Sequence, residues 1–586
     1  MKSNKLIIPL LLGGIALAAA SSCVKINSQL GSSLVPEDEK YITSTVSVAM
    51  DSIYVGYMDS LSAYNSTWAT IGSIRDEKFG LTHRTSAFAL VPAADSVNFG
   101  KNVEFKSFHV ALPKDTLSYR EENLKHILQN VRVYACKSPL DSTVRYNCSP
   151  VLRRSSYAGE KAISLGVPFY DGGDSLSFDL CEDFARSYFS DEGTVLINNE
   201  KTINAYTKKH PGIFICMDNP LGMGGRINRF LADPKLDQNT GYQGGYAWLQ
   251  TKADYTRSNG KTERVDTGFV FLFGKMITET TYASQTSKST SYSCFNGSEH
   301  ESIGKSFGEE VTINGKKMFV AKDEAIIEGG VGIKPMITAS SLRRAVRKAL
   351  MEDGVETYVG NIDSALVNNK IVINRATIVL PYNFPSDYRK MTEYPSVLNP
   401  TLRISTRDTV TYAGLTDASI STENQGEINK DNMCYCPDIS HHMQQILNTD
   451  PNTKEGKKKL TRENIWFLIL AKEVQSSSSS ESNATADYYS QMAYLNYYNS
   501  MVGGYGYGGY GGYGGYGYGG YGDYYSNYYN YYMMQSMYSN MYNSSSTTYS
   551  TMLDTDRYYN ASLRGPKAGS NVPKIKISYS VKLEKE

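Results

Sequence analysis

Ile371-Val-Ile-Asn-Arg-Ala-Thr-Ile-Val-Leu380, halted by Pro381, is the stretch whose reading decides the fold. β-Branched and aliphatic residues fill it, and the proline that ends it cannot donate to a continuing ladder, so it reads as a strand with a sharp stop. An earlier stretch has the same plan: Val103-Glu-Phe-Lys-Ser-Phe-His-Val-Ala-Leu112, then Pro113. Working outward from each, further features recur in one order. A β-type run follows, Val131-Arg-Val-Tyr134 in one half and Leu402-Arg-Ile-Ser405 in the other. A short amphipathic helix comes next, with Leu180, Phe184 and Tyr188 on one face in 179–189, and Ile439, Met443 and Ile446 in 438–447. An Asp stands ahead of the turn in both, where a carboxylate can cap the first amides. A dense apolar strand closes each series, Gly212-Ile-Phe-Ile-Cys216 and Ile465-Trp-Phe-Leu-Ile-Leu470.

Many short strands with turns between them must close two sheets over each other. The expected fold is therefore mainly β: two tandem β-sandwich, jelly-roll-like domains with a few short helices. The first spans 46–325 and the second 361–474 together with 570–586. A glycine-bearing connector and helix, 326–360, lies between them. Leu342, Val346 and Leu350 form that helix's apolar stripe, and its arginines are expected to face solvent. Residues 475–569 read as a long insertion. Gly503–Gly522 alternates glycine with tyrosine, and such a sequence lacks the aliphatic residues to fill a core. The strand Val572–Lys582 then completes the second sandwich, and a loop of such length adds little closure entropy.

The start of the chain sets an address. Lys2 and Lys5 precede an apolar run, Leu6–Ala20, and Ala20-Ser-Ser22 leads to Cys23. A basic start, a short apolar stretch and small residues make a secretory signal, 1–22, too short to span as a mature helix. A cysteine directly after it resembles a bacterial lipobox, which implies a lipidated Cys23 and a tether through 45. The expected location is the outer membrane, with the periplasmic or cell-surface face left open. Acidic residues after the cysteine would mark surface export, and Val24-Lys-Ile-Asn27 has none. No later run approaches the length of a membrane helix.

Lys+Arg 60 against Asp+Glu 59 leaves no electrostatic footprint for nucleic acid. Seven cysteines beyond Cys23 make no disulfide framework; Cys136 and Cys148 flank a hairpin and either pair or stay as buried thiols. Cys434-x-Cys436 with His441-His442 is not a usual zinc spacing, and no cofactor motif is present. Gly304-Lys-Ser-Phe-Gly308 matches the nucleophile-elbow pattern around Ser306. A polar stretch precedes it where a strand is needed, and Val311-Thr-Ile-Asn-Gly315 follows where a helix is needed. Nothing pairs two carboxylates at a site, so no catalytic residue is assigned and the chain reads as a non-enzyme.

Four patches carry a family resemblance: Gly31-Ser-Ser-Leu-Val-Pro36, Gly72-Ser-Ile-Arg-Asp-Glu-Lys-Phe-Gly80, Cys294-Phe-Asn-Gly-Ser-Glu-His300 and Ile326-Ile-Glu-Gly-Gly-Val-Gly-Ile333. In this order they resemble the domain-of-unknown-function 4270 family of Bacteroidetes-type lipoproteins. The resemblance implies an exported lipoprotein and supplies no activity or site residues. Asp-(Ser/Thr)-apolar triplets at Ser52, Ser60, Ser96, Thr116, Ser175, Ser364 and Thr409 are similar to the O-glycosylation sequon of such exported proteins. The same pairs also favour turns.

The leading expectation is a binding or assembly module of the cell envelope, with a glycan or an envelope protein as partner. Tyr505, Tyr510, Tyr513, Tyr516 and Tyr521 of the insertion are its candidate binding residues, because their rings can stack on sugar faces. The alternative is a structural or adhesive protein whose Tyr/Gly-rich arm self-associates. A polysaccharide hydrolase is a distant third.

Overall fold

A computed structural model describes residues 41–582, apart from 476–547 and short breaks at 59, 66, 116–118, 121–127, 142–143, 190–193, 238–240, 283–284, 302–306, 331, 406–409, 416, 418–425 and 556. The chain is mainly β, with several antiparallel sheets and few helices. In the first sandwich one sheet runs, edge to edge, Ser175–Asp179, Lys101–Pro113, Tyr246–Thr256, Thr262–Phe273 and Leu90–Pro92. The facing sheet includes Gln129–Ala135, Ile213–Met217, Gly80–Phe88, Trp68–Asp76 and Gly224–Leu231. Alternate residues of both enter one core, Phe108, Val110 and Leu112 from one side and Val131, Val133 and Ile215 from the other. Strand alternation sends every second side chain to that interior, which is why these runs form a sandwich.

The second sandwich repeats the pairing. Ile371–Pro381 is flanked by Cys434–Tyr435 and Lys574–Lys582, as Lys101–Pro113 is flanked by Ser175–Asp179 and Tyr246–Thr256. Val397–Ser405 pairs with Ile465–Gln475, as Gln129–Ala135 pairs with Ile213–Met217. Two helices precede each dense apolar strand, Glu182–Phe189 and Glu200–Lys209 in one half, Ser440–Asn448 and Lys454–Arg462 in the other. The order found in the sequence is thus a repeat of hydrogen-bonded partners.

The pairings redraw three boundaries. Tyr41–Ala49 pairs along its whole length with Lys574–Lys582, and Tyr54–Tyr57 lies between Lys316–Val320 and Ile333–Ile337. Val48, Ile53 and Val55 accordingly sit in the second core, and the first sandwich is inserted within the second. A two-sided alternation such as Ile42-Thr-Ser-Thr-Val46 says that a strand exists but not which partner takes it. The 326–360 stretch is no connector, because Glu324–Glu328 and Ile333–Ile337 are strands and the helix Ala339–Glu352 packs into the second core. Finally, 475–569 is not all insertion. Thr548–Leu553 pairs with Leu470–Gln475, and Asn560–Arg564 pairs with Glu324–Glu328. Ala561 and Leu563 are the inward positions that make the latter a strand.

One arginine departs from expectation. Arg344 and Arg347 face outward onto Asp51 and Asp363, but Arg343 is buried. Its Nη1 donates to the carbonyls of Ile446 at 3.1 Å, Leu447 at 2.6 Å and Thr449 at 3.0 Å, at the C-terminal end of Ser440–Asn448. Asp417 receives the opposite end of that helix, accepting from the amides of His441 at 2.5 Å and His442 at 3.0 Å. Cation at the carboxyl end and anion at the amino end complement the helix dipole from both sides. Arg343→Ala takes the donor from the Leu447 and Thr449 carbonyls, and urea unfolding should show a loss of about 2 kcal/mol; an unchanged midpoint would sink this account of Arg343.

Candidate functional site

The two sandwiches meet where three of the four resemblance patches converge. Asp76 ends the strand Trp68–Asp76, and its Oδ1 accepts from the amides of Lys78 at 2.7 Å and Phe79 at 3.1 Å, forming a tight turn into Gly80–Phe88. That turn drives Phe79, 1% exposed, out of its own sandwich and into the core of the other. Cys294–Glu301 pairs on Gly80–Phe88 with Ser298 opposite Arg84 and His300 opposite Thr82. From the second sandwich come Glu324–Glu328, Ile333–Ile337 and Tyr54–Tyr57. Gly31–Pro36, the fourth patch, lies outside the described residues.

Glu328 stands at the centre, with no exposed surface. Its Oε1 accepts from Thr82 Oγ1 at 2.5 Å and lies 3.3 Å from His300 Nδ1, both groups of the first sandwich. Tyr57 Oη and His300 Nε2 are 2.8 Å apart. Lys334, 1% exposed, donates to the carbonyl of Glu328, to that of Gly330 at 2.9 Å and to that of Gly332 at 3.4 Å. Arg84 donates to Ser298 Oγ and, at 3.2 Å, to the carbonyl of His83. The glycines of the third patch make room for these groups. A Cβ on Gly330, where φ is +59°, would stand 2.2 Å from Arg84 Nη2, and one on Gly332 would stand 2.4 Å from Glu328 Oε2.

Electrostatics follow from this packing. Burial alone would push Glu328 up, but the charge and hydrogen bond of His300, the Thr82 hydroxyl and the charge of Arg84 outweigh it and hold the carboxyl below its usual range. Burial brings Lys334 down to about 7, against the opposing pull of Glu328. The Tyr57 phenol is pushed well up by burial and then by Glu328. Burial, and then Arg154, Arg84, Arg75 and His300, bring His83 down to about 4. Tyr57, His300 and Glu328 thus have the connectivity of a proton relay, yet the phenol at its end is a weaker acid than free tyrosine. The arrangement joins two bodies through buried charge.

None of the junction groups named above was proposed as a site residue from sequence. Cys23, Ser306, Thr116, Thr409 and the five arm tyrosines Tyr505, Tyr510, Tyr513, Tyr516 and Tyr521 are outside the described residues. Ser96, Ser175 and Ser364 are exposed; the first two begin strands directly after an Asp in a bend, and the third is in the helix Ile362–Val367. Ser60 is half-buried with a positive φ, and Ser52 is engaged with Asp51 Oδ1 at 2.7 Å and Ser341 Oγ at 2.8 Å. Cys136 and Cys148 are separate free thiols. His442 is buried, its Nε2 donating to the Glu463 carbonyl at 3.2 Å, and among the described residues no His/Cys/Asp/Glu group is arranged to hold a metal. Sequence reasoning missed Glu328, Lys334 and Thr82. Their signal was a charge set within apolar strands, Ile326-Ile-Glu328 and Ile333-Lys334-Pro-Met336.

Comparison of the chain with protein-family models, with curated proteins and with solved structures finds no match, so the junction is read from its own chemistry.

Two outcomes follow. Glu328→Gln removes the counter-charge of buried cations and should cost about 3–5 kcal/mol in chemical unfolding. Glu324→Gln, which loses the exposed 3.2 Å ion pair with Lys78 but keeps an amide oxygen that can accept from Ser562 Oγ, should cost about 1 kcal/mol or less; equal costs would show that burial does not set the importance of these groups. Acid should loosen the fold for a second reason. With His83 at about 4 when folded against 6.5 as a free side chain, the unfolded chain binds the extra proton between those values, so stability falls as pH drops through that window. The loss reaches about 3 kcal/mol, and His83→Gln should flatten that part of the stability–pH profile.

Proposed function

We propose that this chain is a non-enzymatic outer-membrane lipoprotein that holds a binding arm on a rigid, paired-sandwich body. One observation carries the reading. The strand Ile465–Gln475 changes partner midway, pairing with Val397–Leu402 up to Leu470 and with Thr548–Leu553 from there to Gln475. The last rung, Gln475 with Thr548, sets the two ends of the Tyr/Gly-rich segment side by side. A segment clamped at both ends on a sheet edge is suited to display, whatever its length. The body behind it is braced by the Glu328 network and by Phe79.

The non-catalytic part of the reading rests on acidity. Cys136, Cys216, Tyr57, Tyr157 and Tyr559 are all made weaker acids, in each case chiefly by burial, which takes them away from the nucleophilic form. Membrane attachment rests on the Cys23 signal, since no helix among the described residues is long and apolar enough to cross a bilayer. The arm residues 476–547 contain tyrosine throughout and no Lys, Arg or His, which favours stacking on neutral sugar faces over ionic capture. The same composition supports self-association as the second reading.

One experiment with two arms tests this. Wild-type chain should incorporate a palmitate analogue in its host, and Cys23→Ala should not; an unlabelled wild type removes the anchor. Deleting 488–545 preserves the Gln475–Thr548 ladder and should change unfolding free energy by less than about 1 kcal/mol. Glycan-array binding should then vanish while self-association persists. Loss of self-association alone would replace the binding reading with the adhesive one, and loss of neither would remove both.

A further inference from the structure

Among the described residues, Cys434 and Cys436 are the two cysteines that the fold brings together. Cys434 is held in a narrow ladder, opposite Pro381 on one side and Asn429 on the other. Tyr435 between them is fully buried, donates to the carbonyl of Pro395 at 2.8 Å and is aimed at the core. Alternation therefore turns both cysteines to the opposite side. Two strand steps of roughly 3.3 Å keep their Cα atoms under about 7 Å apart, inside the reach of a disulfide. Their sulfurs are 3.2 Å apart. Roughly 1 Å of approach separates that contact from a bond of about 2.05 Å. Cys434 is 5% exposed, whereas Cys436 is half-buried and is the sulfur a reagent can reach. The flanking backbone is fixed: the Tyr382 amide donates to the Met433 carbonyl at 3.0 Å and the Ile378 amide to the Pro437 carbonyl at 3.1 Å.

We propose that Cys434 and Cys436 form a reversible dithiol–disulfide site, oxidised by exchange with a low-molecular-weight disulfide. The Cys436 thiolate attacks one sulfur of glutathione disulfide, a mixed disulfide forms and one glutathione leaves with a proton. The Cys434 sulfur, deprotonated in turn, attacks Cys436 and expels the second glutathione. Two electrons and two thiol hydrogens pass from the protein, and one disulfide is reduced to two thiols. The ring closed is three residues long, so it removes little chain entropy from the unfolded state. Such a bridge resists reduction weakly and belongs with labile bridges, not with permanent cross-links. Burial and the neighbouring Cys434 push the Cys436 thiol up to about 12, with Lys576 and Lys574 acting weakly the other way. Exchange is correspondingly slow, which suits a modification that records redox history more than a turnover centre.

The test needs only the purified full chain and is independent of where the protein resides. It is equilibrated across ratios of oxidised to reduced glutathione, quenched in acid, alkylated under denaturing conditions and digested. The peptide carrying both cysteines should pass from doubly alkylated to unalkylated and two hydrogens lighter, and excess reduced glutathione should reverse the change. Cys136, Cys148, Cys181, Cys216 and Cys294 should stay alkylated throughout. In Cys436→Ser the two-hydrogen loss should be absent, while thermal unfolding confirms that the variant is folded. Full alkylation of both cysteines at the most oxidising ratio would overturn the proposal. So would a stable mixed disulfide, or a bridge from either cysteine to a third.

Discussion

A carboxylate with no exposed surface must find its compensation within the protein, and Glu328 finds it across a boundary. Its own sandwich supplies Lys334 beneath it, while Thr82, His300 and Arg84 come from the other. Taking such charges out of water is costly, and the contacts gathered on Oε1 and the nearby positive charges offset that cost. The two bodies are consequently not free to separate. Phe79, lodged in the neighbouring core, reinforces this by hydrophobic means. The glycines at 330 and 332 are needed because Arg84 and Glu328 occupy the volume where a Cβ would stand.

Strand content and the internal repeat were legible in the sequence because period-two patterns and proline stops are local signals. Val103–Pro113 and Ile371–Pro381 announce themselves without any partner. Partner choice is not local. Tyr41–Ala49 has the composition of a strand, yet nothing in it names Lys574–Lys582, more than five hundred positions away. Asn560-Ala-Ser-Leu-Arg564 is likewise too short and too polar to stand out beside a tyrosine-rich tract.

The junction was legible only as scattered patches. Asp76–Gly80, Cys294–His300 and Glu328–Gly332 were noticed for their order along the chain, and their physical reason is that they touch. Arg343 shows the opposite failure. A helical wheel places it beside two solvent-facing arginines, but the carboxyl end of Ser440–Asn448 arrives from a distant part of the chain and demands a donor there.

The antiparallel ladder between Tyr41–Ala49 and Lys574–Lys582 has a temporal consequence. The first sandwich draws all its described strands from the middle of the chain and can be completed while synthesis is still under way. The second cannot close until residues 574–582 have been made. Until then Ile371–Pro381 lacks its long neighbour, and an open apolar edge waits on a partner of very high sequence separation. Assembly is thus ordered from the inside outward, and a product cut short before residue 574 would carry one finished body and one exposed, aggregation-prone sheet.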